Sequence, residues 1–315
     1  MPAKDIVIIG GGPAGLAAGL YAVRAGMETL LIEKLSPGGQ AILAERIENY
    51  PGFPEGISGG DLMGRMEKQA RGLGLEIVSG EAIGIVQSAK LKVKSEKIIR
   101  TTDKEYGALA VIVASGAEAR RLQVPGEEEL RGKGVSYCAT CDGPFFSDQD
   151  IVVIGGGDTA VEEALFLTKF AKKVTIIHRR DRLRATKILQ QRALANKKIG
   201  FIWKSVVTKI LGDGTVEGAR VRDVKTGKVV DVSCKGIFVA AGITPNTEFL
   251  KGLVDMDTKG YILTDEDMRT SQEGIYACGD CRWKLLRQVV TACGEGALAA
   301  FAATKYVEEL KGVAY

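Results

Sequence analysis

Asp5-Ile-Val-Ile-Ile-Gly-Gly-Gly-Pro-Ala-Gly15 returns about 145 residues later as Asp150-Ile-Val-Val-Ile-Gly-Gly-Gly-Asp-Thr-Ala160. In both copies a β-branched run ends at glycines and passes into an amphipathic stretch and then a second apolar run. The amphipathic stretches extend from Leu16 to Ala25 and from Val161 to Phe170. The second apolar runs extend from Thr29 to Ile32 and from Val174 to Ile177. The sequence therefore predicts two βαβ units of one kind.

The glycines of each copy have separate tasks. The first permits a tight turn, the second lets backbone approach a pyrophosphate, and the third position needs a small residue for helix–strand packing. The phosphates then lie at the helix N-terminus, where N–H groups and the helix dipole favour negative charge. The candidate residues are Gly10, Gly12, Pro13, Ala14 and Gly15 in the first copy, and Gly157, Asp158 and Thr159 in the second, where Ala160 takes the third position. We predict an α/β fold with two Rossmann-like three-layer dinucleotide-binding domains.

The two copies differ at the end of the second strand. Glu33 can accept hydrogen bonds from a ribose with a free 2′-hydroxyl, which favours FAD in the first copy. At the matching offset the second copy has His178-Arg179-Arg180, followed by Arg184. Three guanidinium groups can bind a 2′-phosphate, which favours NADPH over NADH. The alternative for these arginines is a solvated basic start of a helix.

The domain that carries the second copy is expected to be inserted into the first. Alternating segments from Gly200 to Val232 predict an added β-hairpin or meander. We expect an FAD-binding domain in residues 1–118 and 248–315, and an NADPH-binding domain in residues 119–247. Hinges are expected near residues 117–123 and 245–250.

Composition excludes several classes of protein. The 315 residues carry a net charge of +4 and no apolar run long enough for a membrane span, so neither nucleic acid nor membrane is an expected partner. The polar start does not resemble a signal peptide, and we expect a cytoplasmic protein. Since His178 is the only histidine, a Cys/His metal site is poorly supported and no metal is predicted.

Cys138-Ala-Thr-Cys141 is the candidate redox centre among six cysteines. A CxxC spacing can close a small disulfide ring and supplies one thiol for attack and one for resolution. Asp142 follows directly and is the candidate acid/base group. Half of a zinc site is the alternative, but the only other CxxC is distant. That pair, Cys278 and Cys281, is expected to be structural, while Asp280 between them can bond a flavin ribityl hydroxyl.

Across nearly its whole length the sequence resembles the low-molecular-weight thioredoxin reductases of the class II pyridine nucleotide-disulfide oxidoreductases. The resemblance lies in motifs that begin at Gly10, Pro37, Asn49, Cys138, Gly155, His178, Cys278 and Arg287. It implies FAD contacts at Glu33, Gly39, Gln40, Asn49, Asp280, Arg287 and Gln288, with Gly279 and Val289 in the same motifs. It implies NADPH contacts at Gly157, Arg179, Arg180 and Arg184.

The resemblance also implies a division of work between the two cysteines, in which Cys141 faces the flavin and Cys138 attacks the partner disulfide. It implies a homodimer whose domains rotate relative to each other, and thioredoxin or a thioredoxin-like or glutaredoxin-like protein as partner. Three alternatives stay open: the reductase component of a peroxiredoxin system, an enzyme that uses ferredoxin in place of NADPH, and a non-catalytic flavin-binding sensor.

Overall fold

The computed structural model describes residues 3–44, 47–87 and 96–313, apart from the side chains of Gln87 and Cys141. In chain order the strands are β1 (Lys4–Ile9), β2 (Thr29–Glu33), β3 (Glu76–Ser79), β4 (Ala82–Gln87), β5 (Lys97–Thr101), β6 (Glu105–Val113), β7 (Ala117–Ala119), β8 (Val135–Ser136), β9 (Asp150–Ile154), β10 (Lys173–Ile177), β11 (Ile199–Ile202), β12 (Ser205–Leu211), β13 (Gly218–Asp223), β14 (Val229–Ser233), β15 (Gly236–Val239), β16 (Ile243–Pro245) and β17 (Ile275–Ala277). The α-helices are α1 (Pro13–Arg24), α2 (Gly59–Gly72), α3 (Ala139–Asp142), α4 (Asp158–Leu167), α5 (Lys187–Ala195) and α6 (Val289–Lys311).

The chain forms two compact units. The first unit comprises Met1–Glu118 and Thr244–Tyr315, and the inserted unit is Ala119–Ile243. Strands β7 and β16, where the chain passes between the units, pair as a two-stranded ribbon. In sequence, the second unit thus interrupts the first.

The first unit is built on a seven-stranded sheet in the order β3-β2-β1-β6-β5-β4, with β17 also paired to β6. Strands β3, β2, β1, β6 and β17 run parallel, and β5 and β4 are antiparallel additions. Ile6 and Ile8 pack among residues of α1 and α6, whereas Val7 and Ile9 pack on the other face, near Leu250. Both faces of β1 are buried, which explains its unbroken apolar run.

The inserted unit has a five-stranded parallel sheet in the order β11-β10-β9-β15-β8. Alternate residues of β9 again face opposite cores: Val153 packs with Leu167 of α4, and Val152 packs with Val221 of β13. The antiparallel strands β12, β13 and β14 form the predicted meander. It begins at Ser205 rather than Gly200, because β11 joins the parallel sheet instead.

The helices begin earlier than the apolar periodicity predicts. α1 starts at Pro13, after Gly12 as N-cap, and α4 starts at Asp158, after Gly157 as N-cap. Proline suits the first helical position, where its missing N–H costs nothing. Small and polar residues in the first turn give no periodic signal, so the predicted starts at Leu16 and Val161 were wrong by one turn. Both glycine loops therefore lie at the carboxyl ends of parallel strands, where open α/β sheets bind ligands.

Candidate functional site

The glycine loop of the first unit has no room for side chains at two of its positions. A Cβ on Gly10 would lie 2.3 Å from the carbonyl oxygen of Ala114, and one on Gly15 would lie 1.8 Å from that of Gly10. At Gly12 an added Cβ would meet only the Cα of Gly39, at 3.9 Å. The first and third glycines thus serve packing, and the second leaves the backbone approachable, as a pyrophosphate site requires.

Glu33 is fixed at the end of β2 by two backbone donors. The N–H of Gly11 donates to Oε2 at 2.6 Å, and the N–H of Leu35 donates to Oε1 at 2.9 Å. Each carboxylate oxygen keeps lone-pair capacity for a further donor. The side chain can therefore accept hydroxyl groups beside the glycine loop.

Predicted contact residues from distant parts of the chain meet near this loop. The N–H of Gly38 donates to the carbonyl oxygen of Gly11 at 2.8 Å, which places Gly39 and the exposed Gln40 beside the loop. Asn49 Nδ2 donates to Gln288 Oε1 at 3.0 Å. Gln288 and Thr291 form a capping box that starts α6 at Val289. The fold thus brings together residues that the resemblance to the family had named without locating them in space.

Asp280 and Arg287 hold buried polar atoms that fit a ligand. Asp280 Oδ1 and Arg287 Nε have no hydrogen-bond partner among the residues that the structure describes. Lys284 Nζ lies 3.1 Å from Asp280 Oδ1 as an ion pair. The Arg287 guanidinium lies 4.2 Å from the ring centroid of Tyr261. Arg287 Nε is thus a buried donor without a hydrogen-bond partner, and Asp280 Oδ1 keeps lone-pair capacity beside its ion pair with Lys284, so the two atoms suit an acceptor and a hydroxyl group of a flavin nucleotide.

Glu295 and Lys284 support this region and were missed by the sequence analysis. The N–H of Gly279 donates to Glu295 Oε2 at 2.8 Å, and Arg282 pairs with Glu295 at 2.9 Å. Lys284 Nζ lies 3.3 Å from Glu295 and links it to Asp280. Glu295 lies on α6, in no motif that names it, so only the folded chain reveals the contact.

The inserted unit repeats the glycine loop with one instructive change. A Cβ on Gly155 would lie 2.4 Å from the carbonyl oxygen of Ala240 and 2.7 Å from the Cβ of Ala160. An added Cβ at Gly157 meets nothing within 4 Å. Asp158 Oδ1 accepts the N–H of Thr186 at 2.7 Å, and Thr159 beside it is exposed. A methyl group suffices for the third position here, and the second glycine again leaves backbone accessible.

His178 lies in a strongly positive environment at the end of β10. Its ring packs on Gly156, where an added Cβ would lie 2.5 Å from Nδ1, and its buried Nε2 lacks a partner among the described residues. Burial lowers the pKa of His178, and the charges of Arg184, Arg179 and Arg180 lower it further. All three arginines are exposed, and each is close enough to His178 to lower its pKa.

These arginines do not start a helix. Residues 178–186 are irregular, α5 begins at Lys187, and the N–H of Arg184 donates to the carbonyl oxygen of Gly156 at 2.6 Å. The basic helix start that was the alternative is therefore wrong. The loop instead bends back against the glycine turn and holds its charges there.

Cys138 is disulfide-bonded and lines an open cavity of about 550 Å³ together with Tyr137 and Asp142. Its N–H donates to Ser136 Oγ at 3.0 Å, and its Sγ lies 3.3 Å from Thr140 Oγ1. The N–H of Asp142 donates to the carbonyl oxygen of Cys138 at 3.2 Å. Cys141 belongs to α3, but its side chain lies outside the description. Cys138 is thus held by local hydrogen bonds beside an open cavity.

The four remaining cysteines carry free thiols. Cys278 and Cys281 are fully buried, and burial raises the pKa of Cys278 well above its usual value and that of Cys281 to about 11. Cys281 Sγ donates to the carbonyl oxygen of Cys278 at 3.2 Å. Because the thiolate is the reactive form, burial disfavours reaction at both thiols, which fits the structural role that the sequence predicts.

Metal sites and membrane-spanning helices are both absent from the part of the chain that the structure describes. Among the described residues, no group of three or more histidine, cysteine, aspartate or glutamate side chains could hold a metal ion. No helix in the same ranges is both long and apolar enough to cross a membrane.

Comparison with known proteins assigns the family. Residues 4–296 match the model of the pyridine nucleotide-disulphide oxidoreductases. A thioredoxin reductase of Peptoclostridium litorale is 50% identical over 97% of this chain and 98% of its own. One from Listeria monocytogenes is 49% identical over 98% of this chain and 95% of its own. The solved thioredoxin reductase of Lactococcus lactis superposes with a TM-score of 0.94 at 48% identity, over 97% of this chain and 99% of that one. The chain therefore belongs to the pyridine nucleotide-disulphide oxidoreductase family and, within it, to the thioredoxin reductases.

Proposed function

We propose that this protein is an NADPH-dependent thioredoxin-disulfide reductase in which electrons pass through FAD and a Cys138–Cys141 disulfide to the disulfide of thioredoxin or a thioredoxin-like protein. The observation that carries the proposal is that Cys138 is disulfide-bonded and lines an open cavity, in the same unit as a glycine loop flanked by three arginines.

The first unit would hold FAD. Gly12 would admit the pyrophosphate, Glu33 would accept ribose hydroxyls, and Asp280 Oδ1 and Arg287 Nε would gain partners. The remaining contacts are Gly10, Pro13, Ala14, Gly15, Gly39, Gln40, Asn49, Gly279, Gln288 and Val289. When bound, FAD accepts a hydride from NADPH and gives an electron pair to a disulfide.

The inserted unit would hold NADPH. Gly157, Asp158 and Thr159 at the start of α4 would bind its pyrophosphate. Arg179, Arg180 and Arg184 would bind the 2′-phosphate that distinguishes NADPH from NADH, because guanidinium groups form charge-assisted bonds with phosphate. His178 would contribute through its buried Nε2, which fits a ligand group.

The two cysteines would have different tasks. In the reduced enzyme the Cys138 thiolate attacks one sulfur of the partner disulfide, and the other partner sulfur leaves as a thiolate. The Cys141 thiolate then attacks the Cys138 sulfur, which releases the second partner sulfur and restores the internal disulfide. Asp142, which lines the cavity with Cys138, would exchange the protons that thiols and thiolates require.

We further infer from the family resemblance that the enzyme is a homodimer. Sedimentation of the FAD-loaded protein tests this, since a monomer at all concentrations would contradict the inference.

A coupled assay tests the proposed function. The FAD-loaded protein is supplied with NADPH or NADH and with several thioredoxins, and nicotinamide oxidation is followed with thioredoxin reduction. We expect turnover with NADPH and at least one thioredoxin, and much less with NADH. Rapid flavin reduction by NADPH without reduction of any dithiol partner would overturn the proposed substrate. Flavin reduction by ferredoxin alone would favour the ferredoxin alternative.

A further inference from the structure

The redox segment rests against a carboxyl group that the proposed mechanism does not use. Glu163 lies on α4, which packs against the short helix α3. Buried Ala139, the residue after Cys138, shares a hydrophobic core with Ala164 and Leu167 of α4. Between these packed helices, the backbone N–H of Ala139 donates a hydrogen bond to the Glu163 carboxyl group. The contact joins α4 to the peptide directly beside the reactive cysteine.

The other carboxyl oxygen of Glu163 is buried, and it has no hydrogen-bond partner among the described residues. An ionised carboxylate in this position would leave charge on an atom that nothing solvates, which is costly. Burial accordingly raises the pKa of Glu163 to about 8, and the nearby charge of Glu162 raises it while the Ala139 hydrogen bond lowers it. Burial and the missing partner of this oxygen therefore both favour the protonated carboxyl group, which still accepts through its carbonyl oxygen.

Few charged residues influence the pKa of Glu163. The charged residues on α4 itself and on the elements packed against it are Asp158 and Glu162 on α4, Asp142 on α3, Lys187 and Arg192 on α5, Asp150 on β9 and Lys173 on β10. Of these charges, only that of Glu162 shifts the pKa of Glu163. Apart from the thiols of the reduced pair, which the wild type and the Glu163 variants share, titration of Glu163 is the change expected near pH 8.

We propose that Glu163 is a positioning residue for the Cys138–Cys141 couple, which it serves as a neutral acceptor that fixes the first peptide of the redox helix. A neutral acceptor has a specific advantage here. When the disulfide is reduced, a thiolate forms on Cys138, and a carboxylate one peptide away would oppose it by like-charge repulsion. A protonated carboxyl group gives the same hydrogen bond without that repulsion. The inference rests on the proposed redox role of Cys138.

The test uses FAD-loaded protein whose disulfide has been reduced with a dithiol and then freed of it under anaerobic conditions. The proteins are the wild type, Glu163→Gln, Glu163→Leu, and Glu217→Gln as a control that removes an exposed carboxylate of the same unit. The rate of Cys138 alkylation by iodoacetamide is measured by peptide mass spectrometry below and above pH 8.

Below pH 8 the glutamine variant and the control should label Cys138 within about twofold of the wild type, because glutamine keeps a neutral acceptor. The labelling rate of Glu163→Leu should differ from that of the wild type by about fivefold, because that ratio corresponds to the free energy of one ordinary hydrogen bond. Above pH 8 the wild type and the control should fall behind Glu163→Gln, because ionised Glu163 raises the pKa of the Cys138 thiol.

The proposal is overturned if Glu163→Gln behaves like Glu163→Leu, or if all four proteins label alike at every pH. Should Glu163→Leu fail to fold, the wild type and Glu163→Gln still decide, since a constant ratio of their rates across pH 8 contradicts the proposal. Labelling needs neither NADPH nor thioredoxin. Normal labelling with no thioredoxin turnover would therefore refute the proposed function and leave the role of Glu163 standing.

Discussion

The phenol of Tyr137 donates a 2.7 Å hydrogen bond to Glu127, a carboxylate that is 2% exposed. The same carboxylate accepts the N–H groups of Leu122 and Gln123, at 2.8 and 2.6 Å. Tyr137 directly precedes Cys138 and lines the same cavity. One buried carboxylate thus links the residue beside Cys138 to the segment at the start of the inserted unit.

Tyr137→Phe should remove this hydrogen bond and leave the ring in place. We expect a loss of about 1–3 kcal/mol in the free energy of unfolding, because Glu127 is left buried with one donor fewer. The rate of flavin reduction by NADPH should stay unchanged, while turnover with thioredoxin should fall. Denaturant unfolding and stopped-flow absorbance measure the two effects. Unchanged stability would contradict this prediction, because it would mean that Glu127 loses nothing when the Tyr137 hydroxyl is removed.

Joint replacement of Arg179 and Arg180 by alanine should weaken binding of NADPH but not of NADH. A charge-assisted hydrogen bond contributes about 1.5–3 kcal/mol, so each lost contact should raise the KM for NADPH by about tenfold or more. Steady-state kinetics with both nucleotides give the ratio. Arg222→Ala is a matched control, since it removes one exposed guanidinium from β13. An equal loss for NADH would contradict a 2′-phosphate site.

At the third position of the two glycine loops, gain and loss of one methyl group should have different effects on folding and FAD content. Gly15→Ala places a methyl group 1.8 Å from the Gly10 carbonyl oxygen, so this variant should purify with little FAD or fail to fold. Ala160→Gly only removes a methyl group and should cost about 1 kcal/mol of stability, because glycine is less favourable within a helix. FAD content and unfolding curves check both. Gly64→Ala, where an added Cβ meets nothing within 4 Å, is the control and should retain FAD. Full FAD occupancy in Gly15→Ala would contradict the packing account.

Lys97 should make stability rise with pH in the alkaline range. Its side chain is 1% exposed, Nζ donates to the Leu109 carbonyl oxygen at 2.9 Å, and burial lowers its pKa to about 8 from 10.5. Between these values the unfolded chain binds more protons than the folded one, so the free energy of unfolding increases with pH and the gain is complete above 10.5.

The check on this prediction is the difference between wild type and Lys97→Met, which cancels the titration of other groups. Relative to the variant, the wild type should gain stability as the pH rises from about 8 through 10.5. A difference that does not depend on pH would mean that Lys97 has an ordinary pKa in the folded protein.

The sequence patterns predicted those parts of the fold and site that depend on local spacing. The glycine loops, Glu33 and the basic residues after β10 follow directly from a strand, a turn and a helix start, so periodicity and residue type suffice. Glu295, Glu127 and Glu163 could not be predicted in this way. Each acts by reaching a backbone N–H elsewhere in the fold, at Gly279, Leu122 or Ala139, and only packing determines those contacts. Helix starts were misjudged for a related reason, because Gly12 and Gly157 cap helices without any apolar period.

The most direct test of the central claim compares wild type with Cys138→Ser during one anaerobic turnover. FAD-loaded protein is mixed with one equivalent of NADPH and then with oxidised thioredoxin, while flavin absorbance and thioredoxin thiols are followed together. We expect NADPH to bleach the flavin of Cys138→Ser lastingly and that of the wild type only transiently, because in the wild type the electron pair passes on to the Cys138–Cys141 disulfide. Only the wild type should then reduce thioredoxin, with one disulfide reduced per NADPH. Reduction of thioredoxin by Cys138→Ser at the wild-type rate would contradict the account.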